Sequence, residues 1–178
     1  MRGVVDKRGQ IWVETVIYTL IGLAIIGLVL AAALPKINEQ KDKVMIEQSI
    51  EALNNIDDKI VEVQRAVANR RVVDLDVRKG ALVINTTEDT ISWILDSSFP
   101  YSEEDVAISI GRLDVNTSRT GGAWQVELKV GYSADIQYGG KETGAYRLEV
   151  ASTPYKFLIE NNGLNGDGDK IIIDLSIA

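Results

Sequence analysis

From Thr15 to Leu34 twenty consecutive residues carry no charge, and Ile, Leu, Val and Ala dominate them. Counted from Ile11, the apolar stretch is 24 residues long, roughly 36 Å as a helix at ~1.5 Å per residue and enough to cross a bilayer. A soluble core helix of this length needs a polar face, and none is present. The β-branched residues do not argue against a helix, because in lipid the backbone has no hydrogen-bond partner except itself. The stretch therefore reads as one transmembrane segment. Gly22 and Gly27 permit close helix approach, but their spacing is not GxxxG. Pro35, at the far end, is expected to kink the helix without ending it, since helical periodicity resumes at once.

Arg2, Lys7 and Arg8 precede the span, which places that end in the cytoplasm and the residues after Leu34 outside. Lys36, Lys41 and Lys43 follow the span, accompanied by Glu39 and Asp42. Trp12 and Tyr18 bracket the inner end, as interfacial aromatics do. One residue does not fit a plain span: the carboxylate of Glu14 stands near its start. Two ordinary readings compete for this region. A cleaved secretory signal would use Ala31-Ala32-Ala33 as its cleavage site, but that leaves Glu14 unexplained. A plain signal anchor would let Glu14 snorkel to the interface at modest cost.

At 178 residues the chain has room for one membrane segment and one modest domain. It contains neither Cys nor His. That excludes disulfides, thiolate nucleophiles, imidazole bases, the Ser-His-Asp triad and His- or Cys-ligated zinc. No nucleophile–base motif or phosphate loop stands in their place, so no enzyme activity and no cofactor are expected. The net charge of −7 and a pI near 4.7 argue against electrostatic nucleic-acid binding.

Beyond Pro35, residues Ile46, Ile50, Leu53, Ile56, Ile60, Val63 and Val67 recur every three or four positions, the mark of an amphipathic helix. Glu39, Glu47, Glu51, Asp57, Asp58 and Glu62 fall largely off this stripe. A coiled-coil partner or the chain's own outer domain could cover it. Three heptads interleaved with Asn54 and Asn55 make a short coil, so the outer domain is the expected cover. The helix is then expected to run from Ile11 to about Asn69, roughly 88 Å if straight.

From Arg70 the pattern changes to short apolar runs separated by glycine-rich turns. Val72–Arg78 and Ala81–Ile84, joined by Lys79-Gly80, read as a hairpin. Thr90–Leu95 reads as a strand or helical turn, and Pro100–Asp105 as a loop. Further runs are Val106–Leu113, Trp124–Tyr132, Ala134–Tyr138, Ala145–Ala151, Tyr155–Asn161 and Lys170–Ile177. The expectation is an antiparallel sheet or sandwich of about 110 residues, large enough for a core without disulfides. Asn85-Thr86-Thr87 and Asn116-Thr117-Ser118 fit the N-x-S/T rule and are candidate N-glycosylation sites in an exported domain, Asn116 lying in a turn-like polar stretch. Asn165, Asp167 and Asp169 alternate oxygen ligands as calcium loops do. The twelfth position is Ser176 rather than Glu, so a tight hairpin turn is the preferred reading. Trp93, Trp124, Tyr138 and Tyr146 offer an adhesive surface or, for most of them, core packing.

Lys7-Arg8-Gly9 before Gln10, with Glu14 five residues along and the apolar run behind it, resembles the class III signal of the type IV pilin superfamily. The Gly9-Gln10 junction is similar to that of archaeal prepilins. The resemblance implies a division into a signal peptide (1–9), a transmembrane and filament-core helix (10–35), a helical stalk (36–69) and an extracellular β-rich head (70–178). The implied fold is α+β, a long helix packed on an antiparallel head in the lollipop plan of pilins. A membrane prepilin peptidase would cut between Gly9 and Gln10, taking the net charge from −7 to −9. Glu14 would pair with the new Gln10 amine of a neighbouring subunit, since a buried charge is tolerated when paired.

The function so implied is structural: a subunit of a surface filament, assembled by helix packing with the help of an assembly ATPase and platform protein. Before assembly it would be a single-pass membrane protein with its N-terminus in the cytoplasm. The alternatives are a minor pilin, or a membrane-anchored binding protein that forms no homopolymer.

Overall fold

A computed structural model describes residues 7–177, with side chains from Trp12 onward. Residues 1–6 of the expected signal, and the side chains of Lys7, Arg8 and Gln10, lie outside the described residues. The chain divides into two compact units, Met1–Gln40 and Lys41–Ala178.

Helix α1 runs without interruption from Lys7 to Val63, with Pro35 inside it. Within the first unit the Ile, Leu and Val side chains from Val13 to Leu34 are all exposed. An apolar run of this length, with none of the described residues over it, is a candidate membrane span.

The second unit joins the outer part of α1 to ten strands: β1 (Arg70–Leu75), β2 (Ala81–Asn85), β3 (Thr90–Ser97), β4 (Ile108–Ile110), β5 (Leu113–Thr120), β6 (Ala123–Gly131), β7 (Asp135–Tyr138), β8 (Ala145–Glu149), β9 (Tyr155–Leu164) and β10 (Ile171–Ile177). They form a four-stranded sheet in the order β1-β9-β10-β7 and a six-stranded sheet in the order β4-β5-β6-β3-β2-β8. The fold is thus α+β, a long N-terminal helix followed by largely antiparallel sheets. The exception is β7, which runs parallel to β10.

One core serves both sheets and the helix. Ile46, Ile50, Leu53, Ile56, Ile60 and Val63 are buried in the same cluster as Val73 and Leu75 of β1, Trp93 of β3, Leu128 of β6 and Phe157 of β9. The stripe therefore meets the chain's own strands, as its spacing predicts. The strands alternate accordingly: in β3, Ile91, Trp93 and Leu95 face inward, paired across the ladder with Val130, Leu128 and Val126 of β6.

Three sequence expectations are corrected. The helix stops at Val63, not near Asn69, and Val67 is 69% exposed instead of continuing the stripe. Ala68 takes a left-handed conformation with φ 61°, and two asparagines take over the orphan carbonyls of the last turn. Asn69 Nδ2 donates to Glu62 O at 3.0 Å, and Asn161 Nδ2, from β9, donates to Val63 O at 2.9 Å. Second, Val72–Arg78 and Ala81–Ile84 do not form a hairpin. Strand β1 pairs with β9 in one sheet while β2 pairs with β3 and β8 in the other, so Lys79-Gly80 is a crossing between sheets. Gly80, at φ 74°, lies so close to the Ile94 carbonyl and Leu95 that a β-carbon would collide with them. Third, Val106–Leu113 is not one strand. Gly111, at φ 65°, turns the chain between β4 and β5.

The Asn161 contact yields a stability prediction. Asn161 is buried, its amide caps the helix, and its Oδ1 accepts from Gly163 N at 2.9 Å. Asn161→Ala leaves the Val63 carbonyl with only the longer Ala66 N–H at 3.4 Å and takes the acceptor from the part-buried Gly163 N–H, a combined loss of about 1–3 kcal/mol. A lower urea midpoint at unchanged m-value is the expected result.

Candidate functional site

Helix geometry determines what surrounds Glu14. At about 100° per residue, Glu14, Thr15, Tyr18 and Thr19 fall within one arc of about 140°, with Gly22 inside it. These four are all the polar side chains in the sequence between Val13 and Leu34. The other side of the helix presents Val16, Ile17, Leu20 and Leu23. Within the arc, Tyr18 Oη donates to Glu14 Oε1 at 3.3 Å, one helical turn back. Thr19 Oγ1 donates to the Thr15 carbonyl at 2.9 Å, hiding its hydroxyl against its own backbone. The polar side is confined to Glu14–Thr19; farther along, Ile25, Ile26 and Val29 occupy the same arc and the helix is apolar all round. Sequence reading found Glu14 but took Tyr18 for an interfacial aromatic; the four-residue spacing was the signal that joins them.

In the second unit Asp42 ties the helix to the strands. Its carboxylate pairs with Lys79 Nζ and accepts Ser98 N at Oδ2, 2.7 Å. Burial alone would raise its pKa, but the hydrogen bonds from Lys79 and Ser98, with the Lys79 charge, outweigh that and hold it below the ordinary 3.8. A carboxylate with a lowered folded pKa adds stability that is complete above its unfolded pKa and is lost as pH falls through the folded value. Asp42→Asn should therefore flatten the loss of stability as pH falls below about 4 relative to wild type, as urea midpoints measured on acidification will show.

Two further polar contacts shape the core. Asp57, on the buried side of α1, stands 3.1 Å from Arg112 Nη1, with the Arg112 guanidinium 5.7 Å from the Tyr132 ring centroid. Burial first, and then the Asp57 charge, push the Tyr132 phenol well above its usual range. Asp89 clasps the two sheets: its Oδ1 accepts Ile136 N of β7, and its Oδ2 pairs with Lys170 Nζ, both at 2.9 Å. These groups are structural in their contacts.

Asn85 closes the β2–β3 turn, its Oδ1 accepting Thr87 N and Glu88 N at 3.1 and 3.2 Å. Asn116 lies within β5, opposite Glu127, and not in a turn. Asn165 builds the β9–β10 turn: its Oδ1 accepts Asp169 N at 3.1 Å and its Nδ2 donates to Asp169 Oδ1 at 2.7 Å. The oxygen of Asn165 is engaged in the hairpin, and no group of three or more Asp or Glu able to hold a metal ion is found among the described residues. Trp93 is buried, its indole donating to Lys79 O at 2.9 Å. Tyr138 and Tyr146 stack at 4.6 Å, joining β7 of one sheet to β8 of the other. Trp124 lies under the Arg119 guanidinium. A cleft of about 260 Å³ opens beside Ser49, Asp74, Asp76 and Trp93.

No protein-family model matches the chain, and comparison with curated proteins and with solved structures gives no significant match.

Proposed function

We propose that the chain is a structural subunit of a type IV pilus-like surface filament, cut between Gly9 and Gln10 by a prepilin peptidase. One observation carries the reading: a single carboxylate, Glu14, stands in an apolar helix segment whose side chains no other described residue covers. An ionisable group within a lipid span is unfavourable, by up to about 2.5–3.5 kcal/mol at the centre and less toward the ends, and it is tolerated where a partner meets it. Processing would create that partner, the α-amine of Gln10 on a neighbouring subunit, four residues from Glu14 along the helix. Lys7 and Arg8 would hold the cleavage site on the cytoplasmic side. Helices would then pack into a filament core with an assembly ATPase and platform protein, displaying the β-rich unit outside, where Asn85 and Asn116 are the candidate glycan acceptors.

The cleft beside Trp93 favours a second reading, in which the chain is a minor subunit or a membrane-anchored binding protein. Immunogold electron microscopy of surface material released by shear separates the two. Continuous labelling along filaments supports the structural subunit. Sparse or tip-restricted label supports the minor one, and label confined to the membrane sinks both filament readings.

A further inference from the structure

We infer that Tyr18 is a positioning residue for Glu14: its phenol holds one oxygen of the carboxylate and leaves the other for the amine of a second copy of this chain. The inference rests on the filament reading and adds to it a residue and a division of the carboxylate between two donors.

The argument begins with what a tyrosine costs at this position. Tyr18 is 65% exposed on the apolar helix, so no packing within the chain dictates its rotamer. A phenylalanine would present the same ring to lipid without a hydroxyl to satisfy, and a hydroxyl left unpaired in hydrocarbon is unfavourable. The hydroxyl is satisfied by Glu14 Oε1 at 3.3 Å. Residues four apart share a helix face, and helical side chains lean toward the N-terminus. Tyr18 therefore reaches back to Glu14 from the C-terminal side, while Glu14 leans toward Gln10. The phenol occupies Oε1, and Oε2 makes no hydrogen bond among the described residues. A carboxylate has about four acceptor positions, so a phenol and an ammonium can be held together. With the phenol in place the carboxylate is kept from swinging freely, and less freedom is lost when the amine arrives.

The test uses the full-length chain in its own cells, as wild type, Tyr18→Phe, Glu14→Gln and the double variant. The fraction of subunit recovered in sheared filaments is compared with that left in the membrane, and a mobility shift reports processing in all four. Tyr18→Phe should lower filament recovery about five-fold, the size expected for losing one ordinary hydrogen bond of ~1 kcal/mol, with processing unchanged. In the Glu14→Gln background it should add nothing. Wild-type recovery for Tyr18→Phe beside a defective Glu14→Gln would overturn the role of Tyr18 and leave the filament reading standing. Wild-type recovery for both would overturn the two together. Because Glu14→Gln can abolish filaments outright, a second measurement is independent of assembly. Ultraviolet resonance Raman difference spectra, wild type minus Tyr18→Phe in lipid nanodiscs, isolate the Tyr18 ring. They should show a hydrogen-bond donor that weakens in Glu14→Gln, and a phenol signature indifferent to Glu14→Gln overturns the inference.

Discussion

A fragment beginning at Gln64 will not hold the β-rich unit in its native state, whereas one beginning at Lys41 will. Residues Ile46, Ile50, Leu53, Ile56, Ile60 and Val63 are buried in the same cluster as side chains of both sheets. Each fully buried Leu, Ile or Val contributes about 1.5–3 kcal/mol, so the six together supply on the order of 10 kcal/mol. That is comparable to the entire net stability of an ordinary domain, about 5–15 kcal/mol. Removing them also uncovers the inner faces of both sheets to water. The longer fragment keeps Asp42 with its Lys79 and Ser98 contacts, and the Asp57–Arg112 pair. Near-ultraviolet circular dichroism with urea titration will read the difference: a cooperative transition for residues 41–178, and none for 64–178. A cooperative transition in the shorter fragment would show that the strands form a core by themselves.

The second large effect lies at the other end of the helix. On the proposed filament reading, Glu14→Ala should reduce filament recovery by more than about ten-fold, since it would remove one partner of a desolvated charge pair, an interaction of several kcal/mol, while the urea midpoint of the β-rich unit stays unchanged. The two effects are separable because Glu14 belongs to the first compact unit and the core to the second. Filament recovery and the urea midpoint, measured on the same variant, must therefore part company. Equal filament recovery from Glu14→Ala and wild type would remove the pairing argument.

Much of this architecture is legible in the sequence because it rests on local periodicity. The buried stripe of α1 is read from gaps of three and four, and most strands from short apolar runs bounded by glycine. What is not legible depends on distant partners. Lys79-Gly80 has the composition of a hairpin turn, and only the close approach of Gly80 to Ile94 reveals a crossing between sheets. Asn116 reads as a turn residue because it is polar, yet within β5 it stands half-buried between inward-facing Val115 and Thr117, its Oδ1 shielded from solvent. The helix end near Val63 is set by Asn161, which stands 98 residues away in the chain. The parallel pairing of β7 with β10 leaves no local mark at all. At the candidate site Glu14 is conspicuous by being charged among apolar neighbours. Tyr18 is harder to see, because an aromatic near the end of a span already has an interfacial explanation.

The central claim is that processing between Gly9 and Gln10 makes the amine that Glu14 meets, and N-terminal sequencing of the mature protein from sheared surface material tests it most directly. The account predicts Gln10 as the first residue. An intact Met1, or a start just after Ala33, would contradict it.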